Sequence, residues 1–220
     1  MDWSFDRMSA FLLKLIAITA MAVDHIGATI VPMQSFRIIG RLTMPIMCYF
    51  IGEGYRHTRD VKKYMGRLLL FAFLSEIPFD LAMRERLIYP YSQNVFFTLF
   101  LGLLGIYLFE RYRSGIGGLA IVLCGVAANL FSTDYGFFGV LLITALYLYG
   151  QSTRGLFLVL VGLNLLFYWG TIQMYSALAF IPLALYNGER GPNIKYLFYV
   201  FYPAHLLILY LLQQLPVFSS

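Results

Sequence analysis

Asp24 and His25 stand side by side in a stretch, Phe11 to Met33, that is otherwise almost entirely apolar. At membrane depth each ionisable side chain costs about 2.5–3.5 kcal/mol on insertion scales, so keeping two of them points to a use. Histidine has the intrinsic proton affinity of a general base near neutral pH. Adjacent helical residues point about 100° apart, so Asp24 and His25 do not form a dyad. Asp24 is expected to pair with an arginine of the next helix, and a partner for His25 has to come from elsewhere: Glu76, Asp80 or Asn94.

Other polar residues gather at the same level. Arg37 and Arg41 are an i, i+4 pair, as are Glu76 and Asp80, and such pairs share a helix face. Gln93 and Asn94 open a further apolar run. Asp24, His25, Arg37, Arg41, Glu76, Asp80 and Asn94 are therefore expected to share a cavity, with a purely structural salt bridge from Arg41 to Glu76 or Asp80 as the plainer reading. A second polar level holds Glu53, Arg56, His57, Arg59, Lys62, Lys63 and Arg67. It reads either as a topology signal alone or as an anion site, where arginine forks and lysine point charges suit phosphate. Lys14 lies three turns from His25 on one stripe. Asn94, Thr98, Gly102 and Gly105 form another stripe, read as close packing or as the wall of a narrow passage. His205 reads as a packing histidine or as part of such a passage, and His57 as a solvated surface residue.

These groups need elements that hold them in a bilayer. Of 220 residues 60% are hydrophobic and 12% charged, with 20 Phe and 17 Tyr. A soluble domain carries about 25% charge. The chain is expected to be an all-α, polytopic integral membrane helical bundle of about nine transmembrane helices, near 11–32, 36–55, 64–83, 94–112, 116–131, 136–149, 155–169, 172–186 and 194–214. Several are shorter than the ~20 residues that span a bilayer. The runs do not alternate as barrel strands do, and no internal repeat is visible, so residues 1–220 read as a single domain. The first apolar run reads as a retained helix. Cys48 and Cys124 fall in apolar helices without metal-ligand spacing and read as small core residues; no metal site is expected.

Lys and Arg set the orientation. The densest basic cluster, Arg56 to Arg67, is expected to be cytoplasmic. Alternation then puts the N-terminus, Arg111, Arg113, Arg154, Arg190 and Lys195 on the same side, with Arg37, Arg84, Arg86 and the C-terminus opposite. The net charge of +5 reflects this bias and is no nucleic-acid signal. With no Walker-type or GxGxxG loop, a nucleotide triphosphatase has no support.

Several stretches together resemble the TraX family: Lys14 to Gly27 with its Asp24-His25 pair, Phe36 to Pro45 with Arg37 and Arg41, Gly52 to Arg59, Leu68 to Asp80, Gln93 to Thr98, and Tyr199 to Leu206 with Pro203 and His205. The likeness runs the length of the chain and is densest over residues 14–105. The family takes its name from a pilin N-acetylase and is grouped with transmembrane acyltransferases. The resemblance implies a multi-pass protein of the bacterial inner membrane that moves an acetyl or short acyl group from cytoplasmic acetyl-CoA, as donor substrate, to an extracytoplasmic acceptor, a peptide amine or a glycan or lipid hydroxyl. It assigns catalysis to His25 with Arg41. The phosphates of the acyl-CoA would then meet Lys14, Arg56, Arg59, Lys62, Lys63 and Arg67. His25 would deprotonate the acceptor, Glu76 or Asp80 would orient His25, and Asn94 or Arg41 would hold the oxyanion; an acetyl-histidine intermediate is a variant. The rival class is a small-molecule or proton-coupled transporter, since intramembrane Asp, His and Arg also serve substrate pathways.

Overall fold

A computed structural model describes residues 8–112, 115–192 and 195–216, the Lys195 side chain aside. Residues 1–7, 113–114 (with Arg113), 193–194 and 217–220 and the side chain of Lys195 lie outside the described residues. Among the described residues the structure is helical, with two isolated bridges, Met8 with Tyr186 and Gln93 with Thr133, and no strand.

Helix α1 spans Ala10–Thr29, α2 Gln34–Gly40, α3 Thr43–His57 and α4 Val61–Arg84. Then come α5 at Val95–Tyr112, α6 at Gly115–Leu130 and α7 at Gly136–Tyr149. Helix α8, Thr153–Phe157, continues through a π-helical turn, Leu158–Gly162, into α9, Leu163–Tyr168. A 3₁₀ segment, Ile172–Ala179, leads into α10, Phe180–Ala184, and α11 spans Lys195–Gln213. Local chemistry sets the starts: Ser9, Asp60 and Ser152 each accept a bond from a backbone N–H in the first turn of α1, α4 and α8, satisfying donors that would otherwise be orphaned.

Two expected helices are corrected. The run 36–55 is broken at Arg41–Leu42, where the backbone makes i→i+3 bonds to Ile38 and Ile39. Pro45, just inside α3, has no N–H to continue the ladder through the break. The run 172–186 is a 3₁₀ segment and one short helix. Pro182 interrupts its ladder, and the Ser176 hydroxyl bonds Asn164 Oδ1 at 2.5 Å, tying the segment to α9.

Contacts orient the elements. Gln213 of α11 donates to the carbonyls of Thr29 and Ala82, while Lys14 lies over Phe198 at the other end, so α1, α4 and α11 run the same way. One end of the bundle gathers the 85–94 and 131–135 loops, joined by Gln93 N–H to Ser132 O and Asp134 N–H to Gln93 O. The other gathers the end of α3, Gln151 and the 185–190 loop, which pairs with Met8 and Ala10.

The interior holds Leu13, Ile46, Leu99, Leu103, Ile106, Leu142 and Leu206, all almost fully buried, together with polar Asp24, Arg41, Asp80, Asn94, Asn164 and His205. The exterior is apolar: Leu70, Phe73, Leu74 and Ile77 on α4 and Leu119, Val122 and Leu123 on α6 are exposed. Apolar surface of that extent needs a non-aqueous partner. Among the described residues three helices, Ala10–Thr29, Val95–Tyr112 and Tyr196–Gln213, are long and apolar enough to cross a membrane. Gly115–Leu130, Gly136–Tyr149, Thr153–Tyr168 and Ile172–Ala184 are apolar but shorter, so the count of about nine full-length spans is not reproduced by length and apolarity.

The Asn94–Gly105 stripe is packing. A Cβ on Gly102 would run into Ile143, and Thr98 Oγ1 bonds Thr133 Oγ1 at 2.9 Å and the Asp134 carbonyl.

Candidate active site

The α1–α2 hairpin builds the first half of the site. Gly27 and Gly40 let the two helices touch: a Cβ on Gly27 would come within 2.6 Å of Phe36 Cβ, and one on Gly40 would collide with the Asp24 side chain. That contact sets Asp24 between two guanidiniums, Oδ1 2.6 Å from Arg41 Nη2 and Oδ2 2.9 Å from Arg37 Nη1. Arg37 Nη1 also reaches the Asp24 carbonyl, and Arg41 Nε donates to the Arg37 carbonyl at 2.9 Å. Arg41 Nη1 is bound by Gln173 Oε1 at 2.7 Å. The Arg41 side chain is 11% exposed and that of Arg37 35%, so Arg41 is a buried fixture and Arg37 keeps an open edge. The expected pairing of Asp24 with arginines of the next helix is what the geometry contains.

His25, one residue on, faces elsewhere. Its Nδ1 lies 2.7 Å from Nε2 of His205 on α11. His205 Nδ1 lies 2.8 Å from the Phe201 carbonyl, an oxygen that only accepts. The expectation that Glu76, Asp80 or Asn94 partners His25 is corrected. Asn94 is fully buried and donates to the Ala72 carbonyl at 2.7 Å and to Glu76 Oε2. Asp80 Oδ2 accepts from Tyr89 N–H at 2.6 Å. These three residues brace α4, α5 and the 85–94 loop, and none lines the cavity beside His25. The plainer reading of an Arg41 bridge to Glu76 or Asp80 fails for the same reason: Asp24 occupies Arg41.

That cavity has a volume of about 660 Å³ and is lined by Asp24, His25, Arg37 and Arg41, and by four residues that spacing did not single out: Asp134, Tyr135, Tyr202 and Gln173. Asp134 and Tyr135 come from the short α6–α7 connection, where Ser132 and Tyr135 adopt left-handed backbone, φ 51° and 64°. Such a conformation at a bulky residue is rare, and it clusters at functional sites. Asp134 is exposed and lines the cavity. The protein packed around its carboxyl displaces water and pushes it up to about 6, against the opposing pull of Arg41. Only the Asp-Tyr-Gly turn chemistry of residues 134–136 could have flagged this loop.

The basic level sits at the opposite end of the bundle. Lys14 is eleven residues, about 16 Å of helical rise, from His25, with its ammonium over the rings of Phe50 at 4.8 Å and Phe198 at 5.6 Å. Phe198 also lines the cavity. Arg56 is tied down: it pairs with Glu53 at 3.0 Å, donates to the Tyr147 carbonyl and stacks on the Tyr147 ring. Arg67 lies over Tyr64 and bonds Tyr199. His57 is exposed and bonds the Glu53 carbonyl through Nδ1. Arg59, Lys62 and Lys63 are exposed, Lys63 being 3.4 Å from Asp60. The six expected anion-binding cations thus divide into three built into the fold and three on the surface. Among the described residues no cluster of three or more His, Cys, Asp and Glu could hold a metal.

An apolar exterior around a histidine-bearing polar cavity defines a helical protein of membrane type. The chain belongs to the TraX family: the family model described as TraX protein matches residues 9–213. A probable fimbrial assembly protein FimC, serogroup H1, of Dichelobacter nodosus is 30% identical over an alignment of 231 residues, covering 91% of this chain and 94% of that protein. An uncharacterized protein of Rickettsia prowazekii (strain Madrid E) is 28% identical over 131 residues, 57% of this chain and 49% of that protein. No solved structure matches the chain.

Proposed function

We propose that the protein is a multi-pass acyltransferase of the bacterial inner membrane that moves an acetyl or short acyl group from an acyl-CoA to an amine or hydroxyl at the opposite face. The observation that carries this reading is His25: its ring lines a 660 Å³ cavity, Nδ1 is occupied, and Nε2 has no partner among the described residues. A positioned imidazole with one free nitrogen is a general base.

The acceptor enters at the end that carries Arg84, Ser92 and Asp134. Nε2 of His25 takes its proton as it attacks the thioester carbonyl. The open edge of the Arg37 guanidinium, with Arg41 behind it, stabilises the oxyanion; Asn94 is too far engaged with Glu76 and Ala72 to do so. Collapse expels the CoA thiolate, which recovers the proton from His25. Arg59 and Lys62 are the free surface cations that suit the CoA phosphates, and the Phe198 ring, shared by the cavity and the Lys14 level, marks the track for the thin pantetheine arm. The likeness to a protein named for fimbrial assembly favours an acceptor in the cell envelope. In this reading the helices cross about nine times, N-terminus in the cytoplasm, with the fifth to eighth passes short or tilted.

The test is acyl transfer by the purified protein in lipid nanodiscs, with radiolabelled acetyl-CoA and a panel of soluble amines and alcohols. Wild type is expected to release CoA and label an acceptor. His25→Ala should reduce turnover by about 10²–10⁴-fold, the usual worth of a general base. Undiminished turnover by folded, inserted His25→Ala would overturn the assignment.

A further inference from the structure

His205 is bound on three sides. The Phe201 ring stacks on it, centroids 4.6 Å apart and planes 11° apart. The Phe201 carbonyl takes its Nδ1–H at 2.8 Å. His25 meets its Nε2 at 2.7 Å. The His25 and His205 planes differ by 3° with centroids 5.0 Å apart. That separation matches the nitrogen–nitrogen distance plus the two ring radii, so the rings lie edge to edge in one plane and the bond between them is a linear in-plane hydrogen bond.

The acceptor-only carbonyl fixes the proton order. A carbonyl cannot donate, so the proton between Phe201 O and His205 sits on His205 Nδ1. Neutral His205 then offers a lone pair at Nε2, and His25 must donate to it from Nδ1. The lone pair of His25 is left on Nε2, the nitrogen without a partner among the described residues. We propose that His205 is a positioning residue that locks His25 in the Nδ1–H tautomer and shares its charge during turnover. This deepens, and rests on, the reading of His25 as the base of acyl transfer.

The proton balance follows. His25 Nε2 gains the acceptor's proton, and the positive charge spreads over the pair as the Nδ1 proton shifts toward His205 Nε2. His205 keeps its own Nδ1–H on the carbonyl throughout. When the CoA thiolate leaves, His25 Nε2 returns the proton to sulfur and the Nδ1 proton moves back. Two rings carrying one charge suit a site where Arg37 and Arg41 already supply two.

The first test needs no acyl transfer. The chain has three histidines, so ¹⁵N-histidine magic-angle-spinning NMR of the His57→Gln protein in nanodiscs reads two rings. At a pH where both are neutral, both should be Nδ1-protonated with Nε2 bare. His205→Phe should return His25 toward the Nε2–H tautomer that predominates in free neutral imidazole side chains, and His205→Gln, whose Oε1 can accept the same bond, should keep Nδ1–H. The second test is kinetic: His205→Phe should lower kcat by about 10²–10⁴-fold, as losing the base would, with KM for acetyl-CoA unchanged, and His205→Gln should recover part of kcat. An Nε2–H tautomer on wild-type His25, or a His25 tautomer and kcat untouched in His205→Phe, would overturn the proposal. If no acyl transfer is found at all, the NMR still decides whether His205 sets the tautomer.

Discussion

At the scale of the residue, two carboxylates of the cavity behave in opposite ways. Asp24 is held between two guanidiniums and its charge is matched. Asp134 accepts its neighbour's backbone N–H and has Arg41 near, but no direct ion pair among the described residues. Its carboxyl, outside the helices, is pushed up to about 6 by the water that surrounding protein displaces, against about 3.9 in an unfolded chain. The folded protein therefore binds this proton more tightly than the unfolded chain, so wild-type stability falls as pH rises between about 4 and 6 and the loss is complete above that window. Asp134→Asn lacks this loss. Its unfolding midpoint in detergent is expected to exceed the wild-type value at pH 7, with the gap closing as pH drops to 4. A gap constant across that range would show that Asp134 is not the group responsible.

At the scale of the element, the break between α2 and α3 is what makes the arginine fork. Arg37 and Arg41 sit on one helical turn, and the Arg41–Leu42 break lets the chain turn away once both guanidiniums have reached Asp24. Gly40 is the point of contact: a methyl there overlaps Asp24 Cβ and Cγ. Gly40→Ala is expected to push α2 off α1 and cost about 1–3 kcal/mol, the usual penalty of overpacking, read as a lower unfolding midpoint together with reduced turnover. Gly66→Ala is the control, because a Cβ there meets nothing within 4 Å. Equal behaviour of the two variants would show that the α1–α2 contact can relax at no cost.

At the scale of the whole molecule, the two polar levels lie at opposite ends of the bundle, linked along α1 and α11 by the Lys14, Phe198 and His25 positions. The proposed division of labour, donor at one face and acceptor at the other, makes a separate prediction. Arg59→Glu with Lys62→Glu should raise KM for acetyl-CoA several-fold, more at low salt than at high salt because exposed charges are screened, with kcat unchanged. An unaltered KM would reduce those cations to markers of orientation.

Much of this was legible in the residues. Apolar runs and turn signals placed most helix bounds within a few residues, since composition and periodicity are local properties. The i, i+4 spacing of Arg37 and Arg41 placed both on one face, and the 100° rule separated His25 from Asp24. Where the sequence misled, the cause was non-local. Glu76, Asp80 and Asn94 stand at the right depth, but depth carries no azimuth, and they turn toward the 85–94 loop instead of the cavity. Arg56 was grouped with the phosphate-binding cations; besides its neighbour Glu53 it engages Tyr147, which lies 91 positions away.

The sequence by itself determined the class of element, the apolar exterior and the presence of a histidine with arginines at one level, because hydropathy, helical spacing and charge are carried by neighbouring residues. Only the tertiary structure decided which nitrogen of His25 is engaged by another side chain. That depends on His205, 180 positions away, and on the Phe201 carbonyl that orients it, and hydrogen-bond direction across packed helices is not written in the spacing of either one.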